Sequence, residues 1–150
     1  QTRIGLKGKH FKLYKFRTMK VTTKNMDTHL ASASDVTRIG SILRRTKLDE
    51  IPQIFNILLG HMTLVGPRPG LPEQLDLITF RSKKNVFDTM PGITGYAQVN
   101  QIDMSNPEAL ADWDSRYLKM RSIIFDILIL KYTFLGKGGG DKIEKLNSLE

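Results

Sequence analysis

The segment Val65-Gly66-Pro67-Arg68-Pro69-Gly70, near the middle of the chain, restricts its folding more than any other feature of the sequence. Proline has no amide hydrogen, and glycine loses much conformational entropy when it is ordered, so a regular helix or strand is not expected to run through these residues. The segment therefore predicts a rigid loop that holds one arginine.

Patterns on both sides of this loop predict the other elements. Basic residues alternate with apolar ones over residues 4–19, which predicts two strands around a turn at Gly5 and Gly8. A helix is predicted from Thr37, and a second one opens at residues 48–52 with Asp49 as its cap and stops at Gly60. Residues 71–86, 107–120 and 121–135 are predicted to be helical, residues 90–100 to form a turn and a short strand, and residues 20–36 to form a loop.

Composition places the chain among ordinary globular domains and excludes several chemistries. Of its 150 residues, 40% are hydrophobic and 25% are charged. It has no cysteine, which excludes disulfides, cysteine-ligated zinc and thiol catalysis. It has no run of 18 apolar residues, so no segment is predicted to span a bilayer. Because the chain starts at Gln1 and shows no signal peptide, we expect it to be a fragment.

Positive charge is concentrated in the first part of the chain. The net charge is +8, and residues 1–24 contain eight Lys or Arg residues and no acidic residue. Such a concentration is typical of proteins that bind phosphates, nucleic acid or lipid headgroups. A solvated basic surface explains the charge equally well, so charge alone leaves the partner open.

Two adjacent carboxylates, Asp49 and Glu50, are the first candidates for chemistry. At a helix start, free amides favour ionised carboxylates by roughly 0.3–1 kcal/mol. A pair of carboxylates can bind a divalent cation, and an ionised aspartate can attack phosphorus. The alternative is a helix cap followed by an exposed acid.

Several cations are candidates for holding phosphate near this pair. Arg44 precedes the pair closely, Lys15 and Arg17 lie on the predicted basic strand, and Arg68 lies between two prolines. Arginine binds phosphate through a planar fork, and a stiff loop reduces the entropy lost in ordering it. Carboxylates, cations and a divalent metal are the components of phosphoryl transfer. Each cation taken singly is more simply explained as a surface charge.

An ordered set of motifs along nearly the whole chain resembles the monotopic phosphoglycosyl transferases, which form the bacterial sugar transferase family. Each motif is weak alone, and the order of the set makes it specific. The motifs are Gln1-x-Arg3-x-Gly5-x-x-Gly8-Lys9-x-Phe11, Tyr14-Lys15-Phe16-Arg17-Thr18-Met19, Thr37-Arg38-Ile39-Gly40, Leu48-Asp49-Glu50-Ile51-Pro52-Gln53, Asn56-x-Leu58-x-Gly60-x-Met62, Val65-Gly66-Pro67-Arg68-Pro69 and Pro91-Gly92-Ile93-Thr94-Gly95-x-x-Gln98-Val99.

The resemblance implies a fold and a reaction. The expected fold is α/β (α+β): one compact, helix-rich catalytic domain over residues 1–135, with a short sheet or hairpin and amphipathic membrane-surface helices, followed by a flexible tail over residues 136–150. The expected reaction transfers a phosphosugar from a UDP-sugar to polyprenyl (undecaprenyl) phosphate through a covalent aspartyl-phosphosugar and releases UMP. It would be the first membrane step of polysaccharide or glycoconjugate synthesis.

The family's residue roles also map onto this chain. Asp49 matches the nucleophilic aspartate and Glu50 its acidic partner, and both are associated with Mg²⁺. Lys15, Arg44 and Arg68 match the phosphate-binding cations. We further expect Arg17 and Gln98 to contact substrate.

The resemblance extends to location and partners. It implies membrane lipids as partners on the cytoplasmic face of the bacterial inner membrane and no nucleic-acid partner, and it leaves a homo-oligomer open. The apolar stretch over residues 122–135 is expected either at the membrane interface or as a core helix. Family members carry a hydrophobic re-entrant helix just before the Gln-x-Arg-x-Gly motif. This chain does not contain that helix, so we expect weak anchoring.

One departure from the family and two other functions stay open. After Gln98-Val99-Asn100 many relatives continue with Gly-Arg, whereas this chain has Gln101-Ile102. A basic nucleic-acid-binding module would explain the charge, but not the acidic pair or the Pro-Arg-Pro loop. An inactive membrane-surface scaffold would need only the amphipathic helices.

Overall fold

In the computed structural model, which describes residues 1–20 and 36–135, the chain begins with the predicted strand pair. Strand β1 (Thr2–Ile4) runs antiparallel to β2 (His10–Lys12), and a single 3₁₀ turn (Leu6–Gly8) joins them. The paired strands are shorter than residues 4–19: β2 ends at Lys12, and one further pair of hydrogen bonds joins Leu13 to Gln1 at the start of the chain. The predicted loop over residues 20–36 falls mostly outside the described residues, and its two ends pair as a bridge between Met19 and Val36.

Two helices follow, and their starts differ from each other. Helix α1 (Arg38–Arg45) begins at Thr37, whose hydroxyl accepts a hydrogen bond from the Gly40 amide, as the sequence predicts. Helix α2 (Gln53–Leu58) begins after Pro52 and has no side-chain cap. Asp49 lies before α2, inside a separate 3₁₀ turn (Leu48–Glu50). The prediction that Asp49 caps this helix is therefore wrong.

The Pro-Arg-Pro loop follows the first strand of a parallel pair, and only the second strand of this pair was predicted from the sequence. Strand β3 (Thr63–Val65) pairs with β4 (Gly92–Thr94), and helix α3 (Leu75–Lys83) lies in the crossover between them. A 3₁₀ turn (Val86–Asp88) follows α3. The predicted helix over residues 71–86 is confirmed in type but is shorter.

The turn and short strand predicted over residues 90–100 are confirmed in part: β4 is the strand, and residues 96–99 beyond it are helical. Helix α4 (Tyr96–Val99) follows β4 at once. Tyr96 and Val99 are both buried in the largest apolar cluster, against Tyr117 and Phe125. Tertiary packing thus overrides the strand preference of these two residue types.

The last two helices agree with the sequence. Helix α5 (Pro107–Met120) is capped by Asn106, and α6 (Ile123–Phe134) is capped by Ser122. The buried Tyr117 hydroxyl donates to the Asp126 carboxylate at 2.8 Å and lies 3.2 Å from the Val65 carbonyl, so it joins α5, α6 and β3. The predicted flexible tail over residues 136–150 lies outside the described residues.

Three buried apolar clusters hold these elements together in one compact, mixed α/β domain. The largest joins β3, α4, α5 and α6, the second lies under β2 and α2, and the third joins α3, α4 and α5. Within residues 1–20 and 36–135, no helix is long and apolar enough to cross a membrane.

Candidate active site

The site is built around the turn that carries Asp49 and Glu50. Lys47 precedes this turn with φ of +57°, a left-handed conformation that redirects the chain out of α1. The Asp49 carbonyl accepts a hydrogen bond from the Phe16 amide at 3.0 Å. The acidic turn therefore lies against the extended segment that contains Lys15.

A buried asparagine fixes that extended segment. Asn56 is fully buried on α2; its Nδ2 donates to the Lys12 carbonyl at 2.7 Å, and its Oδ1 accepts from the Tyr14 amide at 2.9 Å. The Lys12 carbonyl and the Tyr14 amide lie on the edge of β2 that faces away from β1, and the Asn56 side chain satisfies both groups there. Asn56 thus sets the path of the backbone directly before Lys15.

A second contact orients Arg44. Its Nε donates to the hydroxyl of the buried Thr18 at 2.8 Å. The Thr18 carbonyl in turn accepts from the Thr37 amide at 3.0 Å. A Cβ at Gly40 would overlap the Thr18 carbonyl, so α1 can approach this segment only with glycine at that position.

The Pro-Arg-Pro loop reaches the acidic turn through an ion pair. Arg68 Nη2 lies 2.9 Å from Glu50 Oε1, with the two side chains 40% and 20% exposed. The loop backbone is held on several sides: the Pro67 carbonyl accepts from Gly92 and the Gly70 carbonyl from Ile4. These bonds support the predicted rigidity of the loop.

Burial and charge shift the pKa values of the two central groups in opposite directions. Partial burial, and then the negative charge of Glu50, raise the pKa of Asp49, although Lys15 and Arg44 act against this. Loss of hydration, and then the cations Arg3, Arg68 and Arg44, lower the pKa of Lys15, even though its side chain keeps contact with solvent. Burial and the charge of Glu50 therefore outweigh the stabilisation of ionised Asp49 that the sequence led us to expect from a helix start.

The structure gathers five of the seven predicted site residues. Lys15, Arg44, Asp49, Glu50 and Arg68 act on one another through the ion pair and the charges just described. Arg17 is exposed and is not among the charges that shift Asp49 or Lys15. Gln98 donates to the Ile93 carbonyl at 3.3 Å, next to β4, and the described contacts do not join it to the acidic turn.

Two residues of this region were not singled out from the sequence. Arg3 is buried, and its charge lowers the pKa of Lys15 more than the charge of any other cation does. Arg81 is buried on α3, where it pairs with Asp114 and donates to the Arg68 carbonyl. The sequence does not distinguish a buried arginine from an exposed one. The position of Arg3 in the first motif was therefore the only sequence signal for these two residues.

Oxygen donors for a divalent cation come from the acidic turn. Among residues 1–20 and 36–135, no three His, Asp or Glu side chains gather as a metal site. Asp49 and Glu50 supply two adjacent carboxyl groups, and Mg²⁺ usually takes one or two carboxylates together with substrate phosphates and water. The residues present therefore fit Mg²⁺ that is bound jointly with a phosphate substrate.

Comparison with known proteins identifies the family. The sequence profile of the family described as "Bacterial sugar transferase" matches residues 1–137. The chain belongs to the bacterial sugar transferase family. The chain is 38% identical over 133 residues to the uncharacterized sugar transferase EpsL of Bacillus subtilis (strain 168), and the match covers 89% of the chain and 65% of EpsL.

Two further relatives have names that state a reaction. The chain is 38% identical, over 89% of its length, to a UDP-glucose:undecaprenyl-phosphate glucose-1-phosphate transferase of Escherichia coli (strain K12), of which it covers 31%. It is 35% identical, over 87% of its length, to a UDP-N-acetylgalactosamine-undecaprenyl-phosphate N-acetylgalactosaminephosphotransferase of Aeromonas hydrophila, of which it covers 32%. The chain thus spans about a third of these two relatives.

Proposed function

We propose that this chain is the catalytic part of an enzyme that transfers a sugar phosphate from a UDP-sugar to undecaprenyl phosphate and releases UMP. The observation that carries the proposal is the position of Asp49 beside Glu50: the charges of Lys15 and Arg44 act on Asp49. Arg68 forms an ion pair with Glu50. The printed names of the two relatives describe this reaction with two different sugars. Family membership also favours an enzyme over a nucleic-acid-binding module.

In the proposed first step, an Asp49 carboxylate oxygen attacks the sugar-linked phosphorus of the donor. An O–P bond forms to Asp49, and the bond from that phosphorus to the oxygen bridging the two phosphates breaks. The bridging oxygen leaves with the electron pair as part of UMP. In the second step, a phosphate oxygen of undecaprenyl phosphate attacks the same phosphorus and releases the Asp49 carboxylate. A covalent relay lets a water-soluble donor and a lipid acceptor react in turn.

The surrounding residues prepare this attack. The raised pKa of Asp49 goes with a less well solvated, more nucleophilic carboxylate. Lys15, Arg44 and Arg68 reduce the repulsion between that carboxylate and the phosphates. Arg68 must exchange its bond to Glu50 for one to the donor, and its exposed position allows this. Asp49 and Glu50 would hold Mg²⁺, which supplies additional neutralisation of phosphate charge when it is bound.

Exposed apolar residues suit contact with the membrane that carries the lipid acceptor. On α6, Ile124 is 81% and Phe134 is 90% exposed, while Phe125 and Ile129 on the other face are buried. On α2, which follows the acidic turn directly, Leu58 is 78% exposed. Exposed apolar surface of this kind marks interaction sites with membranes or proteins. We propose that these helices rest on the cytoplasmic surface of the bacterial inner membrane.

The test of the reaction is isolation of the covalent intermediate. The intact protein is incubated with UDP-glucose or UDP-N-acetylgalactosamine and Mg²⁺ in the absence of undecaprenyl phosphate. Intact-mass analysis should show one added sugar phosphate, peptide mapping should place it on Asp49, and UMP should appear in equal amount. Addition of undecaprenyl phosphate should then remove the adduct. Transfer by the Asp49→Asn variant at the normal rate would refute the mechanism.

A further inference from the structure

A buried ion pair lies behind the Pro-Arg-Pro loop. Arg81 of α3 and Asp114 of α5 have side chains that are 2% and 3% exposed. Arg81 Nε and Nη2 donate to Asp114 Oδ2 at 2.9 and 2.6 Å. The third nitrogen, Nη1, donates to the backbone carbonyl of Arg68 at 2.9 Å. One guanidinium group thus connects two helices with the residue whose side chain pairs with Glu50.

Helix packing alone does not account for this pair. Burial of two charges costs several kcal/mol per ion, and apolar replacements of a buried pair are often neutral or stabilising. Helices α3 and α5 are already joined by apolar contacts that include Leu77 and Leu110. They also share a second ion pair, Lys84 with Asp112 at 2.6 Å, which is partly exposed.

The hydrogen bond from Arg81 to the Arg68 carbonyl suits the ion pair to orient Arg68. The neighbouring loop carbonyls of Pro67 and Gly70 accept from backbone amides, whose positions the strands set. The Arg68 carbonyl accepts instead from a side chain, and the planar fork of that side chain is fixed by Asp114. The direction in which the Arg68 side chain leaves the loop therefore depends on Arg81.

We propose that Arg81, held by Asp114, is a positioning residue that fixes the backbone of Arg68 so that its guanidinium group meets the diphosphate of the nucleotide-sugar donor. The inference rests on the proposed function, because it assigns a purpose to Arg68 in binding that donor. It differs from a role in folding, since it predicts that the effect of Arg81 passes through Arg68.

The test is a double-mutant cycle between Arg81→Lys and Arg68→Ala, with UDP affinity measured by isothermal titration calorimetry on the intact protein. Lysine keeps a buried charge for Asp114 but lacks the fork that reaches the Arg68 carbonyl at the same time. We expect Arg81→Lys alone to weaken UDP binding about tenfold. With Arg68 already replaced by alanine, the same change should weaken binding less than about twofold. Equal weakening in both backgrounds would overturn the proposal.

A matched control and a second variant protect the test against loss of folding. Asp112→Asn breaks the other ion pair between the same helices, and we expect it to bind UDP as the wild type does. If Arg81→Lys does not fold, the combined variant Arg81→Met/Asp114→Leu removes both charges together, a change that proteins tolerate better. Wild-type UDP affinity in that variant would likewise overturn the proposal, and so would a loss of affinity that persists at the same size with Arg68→Ala; a loss that falls below about twofold with Arg68→Ala would support it.

Turnover measurements separate this inference from the proposed function. If UDP binds with the expected coupling but no UMP is released from a UDP-sugar, the proposed function fails and the role of Arg81 in orienting Arg68 stands. If sugar-phosphate transfer is normal and the cycle is additive, only the positioning role fails. If UDP does not bind at all, both fail.

Discussion

Arg68 Nη2 donates to Glu50 Oε1 at 2.9 Å, between residues that are 18 positions apart. This contact joins the Pro-Arg-Pro loop to the turn that carries Asp49. It holds Arg68 beside Glu50, the neighbour in sequence of the proposed nucleophile Asp49, and partly neutralises one of the two adjacent carboxylates. Under the proposed function, a substrate phosphate would compete with Glu50 for the same guanidinium group.

We first predict that Arg68→Lys lowers kcat/KM for the UDP-sugar by at least about tenfold, or ~1.4 kcal/mol. Lysine keeps the charge but cannot hold phosphate with two parallel N–H groups. Steady-state UMP release measures the effect. Arg116→Lys, an exposed substitution on α5, is the control and should leave kcat/KM unchanged. An unaltered kcat/KM in Arg68→Lys would show that charge alone suffices there.

The second prediction is that Asp49→Asn abolishes turnover and raises Tm at neutral pH by about 1–3 °C. Burial and Glu50 raise the pKa of Asp49, so its ionised form is less favourable in the folded state than in the unfolded chain. This cost is present above the raised pKa and disappears as the pH falls through it. Thermal unfolding of both proteins should therefore show a difference at pH 7 that shrinks as the pH falls through the raised pKa and is lost at the ordinary aspartate value of 3.8. A lower Tm for the variant at pH 7 would contradict the assignment.

The third prediction concerns Lys15 and alkaline pH. Because the pKa of Lys15 is lowered, the residue loses its charge below the ordinary lysine value, and UDP binding should weaken as the pH rises towards 10. Lys15→Arg keeps the charge over this range, so its UDP affinity should fall less steeply. Titration calorimetry at several pH values measures both slopes, and the titration of UDP itself is common to the two proteins. Parallel slopes would exclude Lys15 from phosphate binding.

The fourth prediction is that Gln101→Gly stabilises the protein by about 0.5–1 kcal/mol. Gln101 follows α4 with φ of +60°; its amide donates to Gln98, and the Ile102 amide donates to Ala97. This bonding pattern ends many helices with glycine at the left-handed position. The glycine that the family resemblance led us to expect here would thus suit the backbone that this chain adopts. Urea unfolding measures the gain, and Gln101→Ala should not reproduce it.

The fifth prediction concerns the membrane. Ile124→Asn on α6 should reduce binding of the intact protein to vesicles of anionic phospholipid at least about threefold, because it removes apolar surface from the proposed contact. Leu75→Asn on α3 changes a comparably exposed apolar residue outside the proposed face and should have little effect. Vesicle sedimentation compares the two variants. An equal loss of vesicle binding in both variants would assign the effect to general hydrophobicity.

The contribution of charge is tested with the unaltered protein. Equal binding to neutral and anionic vesicles would exclude a contribution of the basic N-terminal segment to membrane binding.

Local chemistry explains what could be predicted of the fold. The caps at Thr37, Asn106 and Ser122 bond to amides three residues away, so the helix starts depend only on nearby residues. The loop around Arg68 follows from its two prolines. The strand predicted within residues 90–100 is confined to β4, because burial of Tyr96 among residues of α5 and α6 outweighs its local preference for a strand.

The sequence by itself determined which chemistry the chain carries: two adjacent carboxylates, a basic first segment and one arginine in a stiff loop. Only the tertiary structure decided which cation meets which carboxylate, and that Asp49 is not a helix cap. It also decided the direction of the pKa shift of Asp49, because burial, followed by the charge of Glu50, outweighs both the turn's own amides and the cations Lys15 and Arg44. The hydrogen bond from Arg81 to the Arg68 carbonyl is likewise visible only in the tertiary structure. Caps and breaks act within one turn of chain, whereas burial and Coulomb interactions depend on residues that packing alone brings together.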